Sequence, residues 1–238
     1  MNEELFQRTA FLIGQDRIQS LHQKHVCVFG VGGVGDHAID VLARSGIGEI
    51  SIVDHDHVTL NNINRQYVAT TNTINHLKVE VMKEHLLAIN PDIKVHTYPM
   101  LYLPENADEL PLDHFDYIID AIDTISAKVE LIIRAKEKKI PIISAMGCGN
   151  RMDPSKVQIN DLFQVTHDPL AKIIRHELRK RKIISLPVVH SVEPPIKPTY
   201  FKEIFNLNKK PPGSSPFVPA VAGITLAYFV VSELINKM

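Results

Sequence analysis

The chain has 238 residues, 45% hydrophobic and 22% charged, enough to bury one good core or one core with an appendage. A formal net charge of −1 does not point to nucleic acid through the whole-chain balance, so any basic patch must be local. The two cysteines, Cys27 and Cys148, exclude a disulfide framework, and no C-x-x-C pair exists for zinc. The start, Met1-Asn2-Glu3-Glu4, lacks the basic-then-apolar order of a signal peptide, and the sequence predicts a cytoplasmic protein. The stretch from Phe217 to Ile235 is apolar and about as short as a membrane span can be. Pro219, Gly223, Thr225, Tyr228, Ser232 and Glu233 interrupt it, which favours a buried helix packed on a sheet, with no membrane as partner.

Residues Glu3 to Leu12 read as a helix with Leu5, Phe6, Thr9 and Leu12 on one side, stopped at Gly14. A second short helix runs near Gln15 to Gln23. This arm, residues 1–24, precedes the first strand and is free to reach a partner subunit. Arg8 within it reads, by itself, as a solvated arginine. The run Val26-Cys27-Val28-Phe29 then ends in Gly30-Val31-Gly32-Gly33-Val34-Gly35, and a helical pattern follows with Ala38, Ile39, Val41 and Leu42 on one face. Strand, tight turn and helix in that order make a phosphate-binding element. The first glycine makes the turn, the second lets backbone approach a phosphate, and the last lets helix and strand pack closely.

The second strand, Glu49 to Asp54, ends in an acid about twenty residues past the turn, where a carboxylate can accept hydrogen bonds from ribose hydroxyls. To this point an NAD enzyme and an ATP enzyme fit equally. The polar segment His57 to Gln66 separates them. A hydride-transfer enzyme has no use for its amides and Arg65, whereas a triphosphate does, because charge builds on the α-phosphate and the departing pyrophosphate. Asn62 and Arg65 in that segment, and Lys78 at the start of a helix from Asn75 to Ala88, form a phosphate-handling set.

Ile93 to Tyr98 reads as a third strand and Phe115 to Asp120 as a fourth, with Asp123 just beyond its carboxyl end. In a doubly wound sheet ligands sit at strand carboxyl ends, between the first and fourth strands. One of Asp120 and Asp123 can hold Mg²⁺ bound to phosphates while the other caps the next helix, and the residues alone do not rank them. A helix from Ser126 to Lys138 and a strand from Ile140 to Ser144 follow. Gly147-Cys148-Gly149 then loops out. Cys148 reads as a small residue in a tight loop, since no base partners it as a nucleophile.

Past Asn150 the pattern gives a strand from Lys156 to Asn160 and a helix capped by His167-Asp168-Pro169 and running to Lys182. That helix sets Lys172, Arg175, His176, Arg179, Lys180, Arg181 and Lys182 against inward Leu170, Ile173, Ile174 and Leu178. Its dense one-signed face is either a phosphate contact to a polyanion, through Arg175, Arg179 and Arg181, or a solvated face. A strand from Leu186 to Ser191 precedes a Pro-, Lys-, Gly- and Ser-rich excursion over 193–216, expected to be mobile, that carries Lys197, Lys202, Lys209 and Lys210. The expected architecture is α/β, a doubly wound, mostly parallel, Rossmann-like sheet. One domain spans 1–238, with the arm 1–24, a nucleotide-binding core 25–150, and an extension 151–238 that adds strands and a helix to the same core.

Taken together, Gly30 to Gly35, Asp54, Asn62-Ile-Asn-Arg65-Gln66, Lys78 and Asp123 resemble the ThiF/MoeB/HesA family of ATP-dependent adenylating enzymes, relatives of the ubiquitin-activating enzymes. The resemblance implies ATP and Mg²⁺ as cofactors in a homodimer. It implies that Gly30, Gly32, Gly33, Gly35, Asp54, Asn62, Arg65 and Lys78 bind the nucleotide and that Asp123 holds the metal. It also implies that Arg8 reaches the partner subunit's ATP. The second half, with Ala145 to Pro154, Asp161-Leu162, His167 to Leu170, Pro187 to Ser191 and Phe217 to Gly223, is similar to the branch that acts on tRNA threonylcarbamoyladenosine. That branch closes the modified base into its cyclic form, losing water and using ATP, as a ligase-type dehydratase. The resemblance extends to a cysteine desulfurase or sulfur acceptor as a further partner. Gly149-Asn150-Arg151 departs from the pattern by placing bulk beside Cys148. The competing readings are adenylation of a ubiquitin-like or sulfur-carrier protein, which the missing C-x-x-C pairs oppose, and an NAD(P) oxidoreductase, which leaves Arg65, Lys78 and Asp123 idle.

Overall fold

Strand β1 (His25–Phe29) is apolar on both faces: Val26 and Val28 enter one layer, Cys27 and Phe29 the other, and all four are buried. Such a strand fits only a sheet covered on both sides. In the computed structural model, which describes residues 3–200 and 210–236, β1 lies near the middle of a seven-stranded sheet. The others are β2 (Glu49–Val53), β3 (Lys94–Tyr98), β4 (Tyr117–Asp120), β5 (Ile142–Ala145), β6 (Val157–Asp161) and β7 (Pro187–Ser191). Their order is β3-β2-β1-β4-β5-β7-β6, parallel throughout except for the antiparallel β6–β7 pair. The chain therefore leaves β1 toward β2 and β3, then returns to lay β4 on the other side, and that reversal opens a crevice at the strand carboxyl ends.

Seven helices accompany the sheet: α1 (Gln7–Ile13), α2 (Gln15–Leu21), α3 (Gly35–Arg44), α4 (Lys78–Ile89), α5 (Ile125–Glu137), α6 (Pro169–Lys180) and α7 (Phe217–Asn236) among the described residues. One apolar cluster joins α2, α3, α4 and α7 to Val26, Val28, Ile50, Ile52 and Ile119. The other joins α5 and α6 to Cys27, Phe29, Ile118, Ile142 and Val188. The period-2 alternation of the strands thus assigns each side chain to its layer. Helix α7 is long and apolar enough to cross a membrane by length and composition. Here Val218, Ala222, Leu226, Ala227 and Val230 along it are buried in the fold.

Three local expectations change. The amino-terminal segment is a 3₁₀ turn (Glu3–Phe6) followed by α1, and of its four apolar-face positions only Phe6 is buried, while Leu5 and Leu12 stand exposed because nothing among the described residues covers them. Helix α4 begins at Lys78, not near Asn75, because Asn75 turns at φ 67° and donates its N–H to Val58, tying the preceding loop to residue 58. On α6, Ala171 takes an inward place and Ile173 is 43% exposed, so the buried stripe is Ala171, Ile174 and Leu178. Lys202 and Lys209 lie outside the described residues.

Gly223 shows how closely α7 sits on α3: a Cβ there would stand 2.2 Å from the Val34 carbonyl oxygen. Alanine is favoured over glycine by roughly 1 kcal/mol in an unobstructed helix interior. Gly223→Ala should instead destabilise the protein by about 1–3 kcal/mol, as overpacking does. Thermal melting checks this, and a raised Tm would mean the α3–α7 contact has slack.

Candidate active site

The crevice at the carboxyl ends of β1, β2 and β4 holds a cavity of about 430 Å³. The turn after β1 forms its floor. Gly30 has φ 94°, and a Cβ on it would lie 2.6 Å from the Ala121 carbonyl oxygen beyond β4. A Cβ on Gly35 would lie 1.8 Å from the Gly30 carbonyl oxygen, so the two ends of the turn touch. Gly35 closes the turn from outside the cavity, while Gly30, Gly32 and Gly33 line it. Asp54 fixes the turn from β2: its Oδ2 accepts from Val31 N–H at 2.6 Å and its Oδ1 from Asp56 N–H at 2.8 Å. A carboxylate offers about four acceptor positions, so lone pairs remain for a ligand hydroxyl.

Asn62, Arg65 and Lys78 also line the cavity. Asn62 is buried and largely occupied with shaping its own turn, its Oδ1 accepting from Thr59 N–H at 3.0 Å. Arg65 donates through Nη1 to the Asn61 carbonyl at 2.7 Å and to Asn64 Oδ1 at 2.9 Å. Both bonds use one nitrogen, and among the described residues Nε and Nη2 have no partner. The buried Lys78 ammonium donates to Asp56 Oδ2 at 2.8 Å. Burial pushes the Asp56 carboxyl up, but the bond and charge of Lys78 outweigh it and leave the group below the usual carboxylate range. Asp56 is a cavity residue that the sequence reading missed; its place two residues past Asp54 was the available signal.

The structure separates the two acids after β4. Asp120 is fully buried and accepts from Lys128 Nζ at 2.7 Å, from Ile122 N–H at 3.1 Å and from the Ser144 hydroxyl. Lys128, itself fully buried, also donates to the Ala145 carbonyl at 3.0 Å. Asp123 is exposed on the cavity wall, and its Oδ1 accepts only a long 3.4 Å bond from the Thr124 hydroxyl. An oxygen donor this free suits a hard cation such as Mg²⁺, whereas Asp120 is already neutralised.

Cys148 also lines the cavity, and burial pushes its thiol up to about 12, far from thiolate. The bulk beside it has a structural purpose. Asn150, at φ 59°, donates its N–H to the Gly213 carbonyl at 2.7 Å and accepts from Gly213 N–H at 2.6 Å through its side chain. Asn64 Nδ2 donates to the Ser214 carbonyl at 3.0 Å. Residues 211–214 are thereby held over the cavity from both sides, which the composition of 193–216 did not reveal. Buried Arg151 donates to the carbonyls of Glu193, at 3.1 Å, and of Gly147.

Four candidate residues lie away from the cavity. Arg8 is exposed on α1. Arg175 does not share the exposed basic face of α6. It is half-buried, with Nη1 donating to the carbonyls of Leu162 at 3.1 Å and Val165 at 2.6 Å, because the 3₁₀ turn at 162–164 leaves acceptors that need donors. Arg179 is exposed over the Phe163 ring, 5.6 Å from its centre, and Arg181 is exposed at the helix end.

A mostly parallel sheet with a glycine turn, an acid just past the end of β2 and cationic side chains around one cavity defines a nucleotide-binding α/β protein. The model of the ThiF family matches residues 6–179, and the chain belongs to that family. It is 39% identical to the tRNA threonylcarbamoyladenosine dehydratase of Bacillus subtilis (strain 168), over 98% of this chain and 95% of that protein. The Haemophilus influenzae protein of the same name is 35% identical over 99% and 94%. The crystal structure of E. coli tRNA N6-threonylcarbamoyladenosine dehydratase in complex with AMP superposes with a TM-score of 0.90 at 31% identity, covering 98% of this chain and 95% of that one.

The roles of the two acids are separable by measurement. Lys128→Met strands a buried carboxylate and should destabilise the fold by about 3–5 kcal/mol. Asp123→Asn should leave stability within about 0.5 kcal/mol of wild type while removing Mg²⁺-dependent ATP turnover. Melting and turnover measured on both proteins decide it, and the reverse pattern would exchange the assignments.

Proposed function

We propose that the protein uses ATP to dehydrate threonylcarbamoyladenosine in the tRNA anticodon loop, giving the cyclic form through an acyl-adenylate. The observation that carries this reading is the convergence of the glycine turn, Asp54, Arg65, Lys78 and Asp123 on one cavity, in a chain alike end to end to enzymes bearing that name. The threonyl carboxylate is a poor electrophile because it is an anion and its leaving group would be oxide. Its attack on the α-phosphate of ATP forms the adenylate and releases pyrophosphate. The neighbouring ureido nitrogen then attacks the acyl carbon, closes a five-membered ring and expels AMP. The nucleophile is already tethered, so proximity lowers the barrier and no protein thiol is required.

In this reading Arg65 and Lys78 neutralise phosphate charge as it develops. The Lys78 amine exchanges Asp56 for a phosphate oxygen, and Asp54 receives the ribose. Asp123 would hold Mg²⁺, which when bound adds positive charge at the phosphates. Arg8 belongs to the neighbouring active site of a homodimer, consistent with the exposed Leu5, Phe11 and Leu12 of the same arm. The cytoplasm is the proposed compartment, and a sulfur-acceptor protein is a secondary partner. Adenylation of a carrier protein shares the first half-reaction. It is disfavoured because the chain has no C-x-x-C pair.

ATP–pyrophosphate exchange that depends on tRNA carrying threonylcarbamoyladenosine tests the reading. Exchange supported by a ubiquitin-like carrier instead would replace it. Arg65→Ala and Lys78→Ala should each cut turnover by about a hundredfold or more with melting unchanged. Cys148→Ser should retain ring closure, since its thiol is protonated at neutral pH.

The exposed end of α6 supplies the proposed tRNA contact through Arg179 and Arg181, with Arg175 reserved for the fold. Arg179→Ala/Arg181→Ala should weaken tRNA binding and flatten its salt dependence, by roughly one unit of log-log slope for each phosphate that goes unneutralised. ATP affinity should not move. Titrations at several salt concentrations check both, and an unchanged slope would return α6 to a solvated face.

A further inference from the structure

At the amino-terminal ends of the strands, the side of the sheet away from the nucleotide cavity, three side chains converge from three adjacent strands. His25 begins β1, Glu49 begins β2, and His96 lies within β3. Parallel register places His25 opposite Glu49, and Ser51 opposite His96. One ligand atom from each of His25, Glu49 and His96 lies within 4.8 Å of the other two. His25 Nδ1 is 3.5 Å and His96 Nε2 is 2.8 Å from the same carboxylate oxygen, Glu49 Oε1. A tetrahedral ion with bonds of about 2.0 Å needs donors about 3.3 Å apart, and these two distances bracket that edge.

The surroundings suit the same purpose. His25 Nε2 lies 2.9 Å from the hydroxyl of Ser51, which is fully buried. With the Ser51 oxygen accepting from Nε2–H, Nδ1 is left as the bare donor facing Glu49, as outer partners of metal-bound histidines arrange. The Phe115 ring packs edge-on against His25, with centroids 4.9 Å apart, and restricts its rotation. Lys94 Nζ, 3.7 Å from Glu49 Oε2, is largely exposed and can swing into water. His96 is 46% exposed at its side chain, which leaves an entry path and room for a fourth donor such as water.

We propose that His25, Glu49 and His96 form a binding site for a divalent transition-metal ion of the zinc class, clipping β1, β2 and β3 together with one position open to solvent. The ion displaces the His96–Glu49 hydrogen bond, so the His96 proton moves to Nδ1 and Nε2 becomes the donor. This site is independent of the ATP reaction, and its test does not use turnover.

The chelator-treated full-length protein, without ATP, is titrated with Zn²⁺ against a chromophoric chelator, and Co²⁺ is titrated with the visible spectrum as readout. Wild type should bind one Zn²⁺ equivalent whose affinity falls at least about tenfold in His96→Ala. Co²⁺ should give the intense visible bands of a four-coordinate site, absent in His96→Ala. His55→Ala disrupts the second cluster of potential ligands, Asp54, His55 and Asp56, and should leave this affinity unchanged. His96 is exposed, so the apo variant should melt with wild type. Glu49→Gln gives a second removal of a ligand charge. Equal Zn²⁺ affinity in wild type and His96→Ala, loss in His55→Ala alone, or no Co²⁺ bands in wild type would each overturn the site.

Discussion

The site depends on a single close approach. The carbonyl of Gly30 and the α-carbon of Gly35 meet so tightly that a Cβ would sit 1.8 Å from the oxygen. Because the turn closes on itself there, β1 passes into α3 with the amino end of the helix directed at the cavity, where its N–H groups and dipole favour an anion. Asp54 then reaches across from β2 to hold Val31 N–H at 2.6 Å. Gly30 N–H donates to the Val53 carbonyl at 2.8 Å, and Ala121 N–H to the Phe29 carbonyl at 2.8 Å. The three strand ends that frame the cavity are thus bonded to one another at the turn. The same close packing recurs above it, where Gly223 lets α7 settle on Val34 and hold α3 from the far side.

Beneath that turn lies a second constraint, the buried Lys128–Asp120 pair. Removing two charges from water is costly, and an ion pair offsets that cost only when its remaining donors and acceptors are satisfied. Here they are: Asp120 takes Ile122 N–H and the Ser144 hydroxyl, and Lys128 takes the Ala145 carbonyl. The network joins the carboxyl ends of β4 and β5 to α5, and it sets the turn that presents Asp123. A carboxylate so committed cannot also serve a metal. Of two acids three residues apart, burial and not chemistry leaves Asp123 as the uncommitted carboxylate.

The sheet, the glycine turn and the cavity side chains were legible in the sequence because each rests on local pattern: period-2 runs, a glycine cluster, an acid at a strand end. What escaped was set by partners distant in the chain. Nothing in the helical pattern of 126–138 singles out Lys128, whose burial is explained only by Asp120 and Ser144 beside it. Asn150 and Arg151 read as misplaced bulk until Gly213 and Glu193 supply their bonds. Arg175 looks like one of a row of cations because helical periodicity cannot see the carbonyls of Leu162 and Val165. Spacing put Leu5, Phe6, Thr9 and Leu12 on one side of a single helix, yet a 3₁₀ turn replaces its start and only Phe6 is buried, because spacing cannot say what covers a face.

A thiol lines this cavity beside a loop that is itself held by hydrogen bonds. Residues 211–214 line the same cavity as Cys148, which packs against the core, and burial of the thiol raises its pKa to about 12. A nucleophilic cysteine needs the opposite environment, partly open and beside a cation or base. Enclosure is useful to adenylate chemistry in another way. An acyl-adenylate is lost to hydrolysis if water reaches it before the tethered nitrogen does, so a covered cavity protects the intermediate. A high thiol pKa fits the proposed intramolecular second step, and the polar anchors Asn64 and Asn150 hold residues 211–214 beside the cavity.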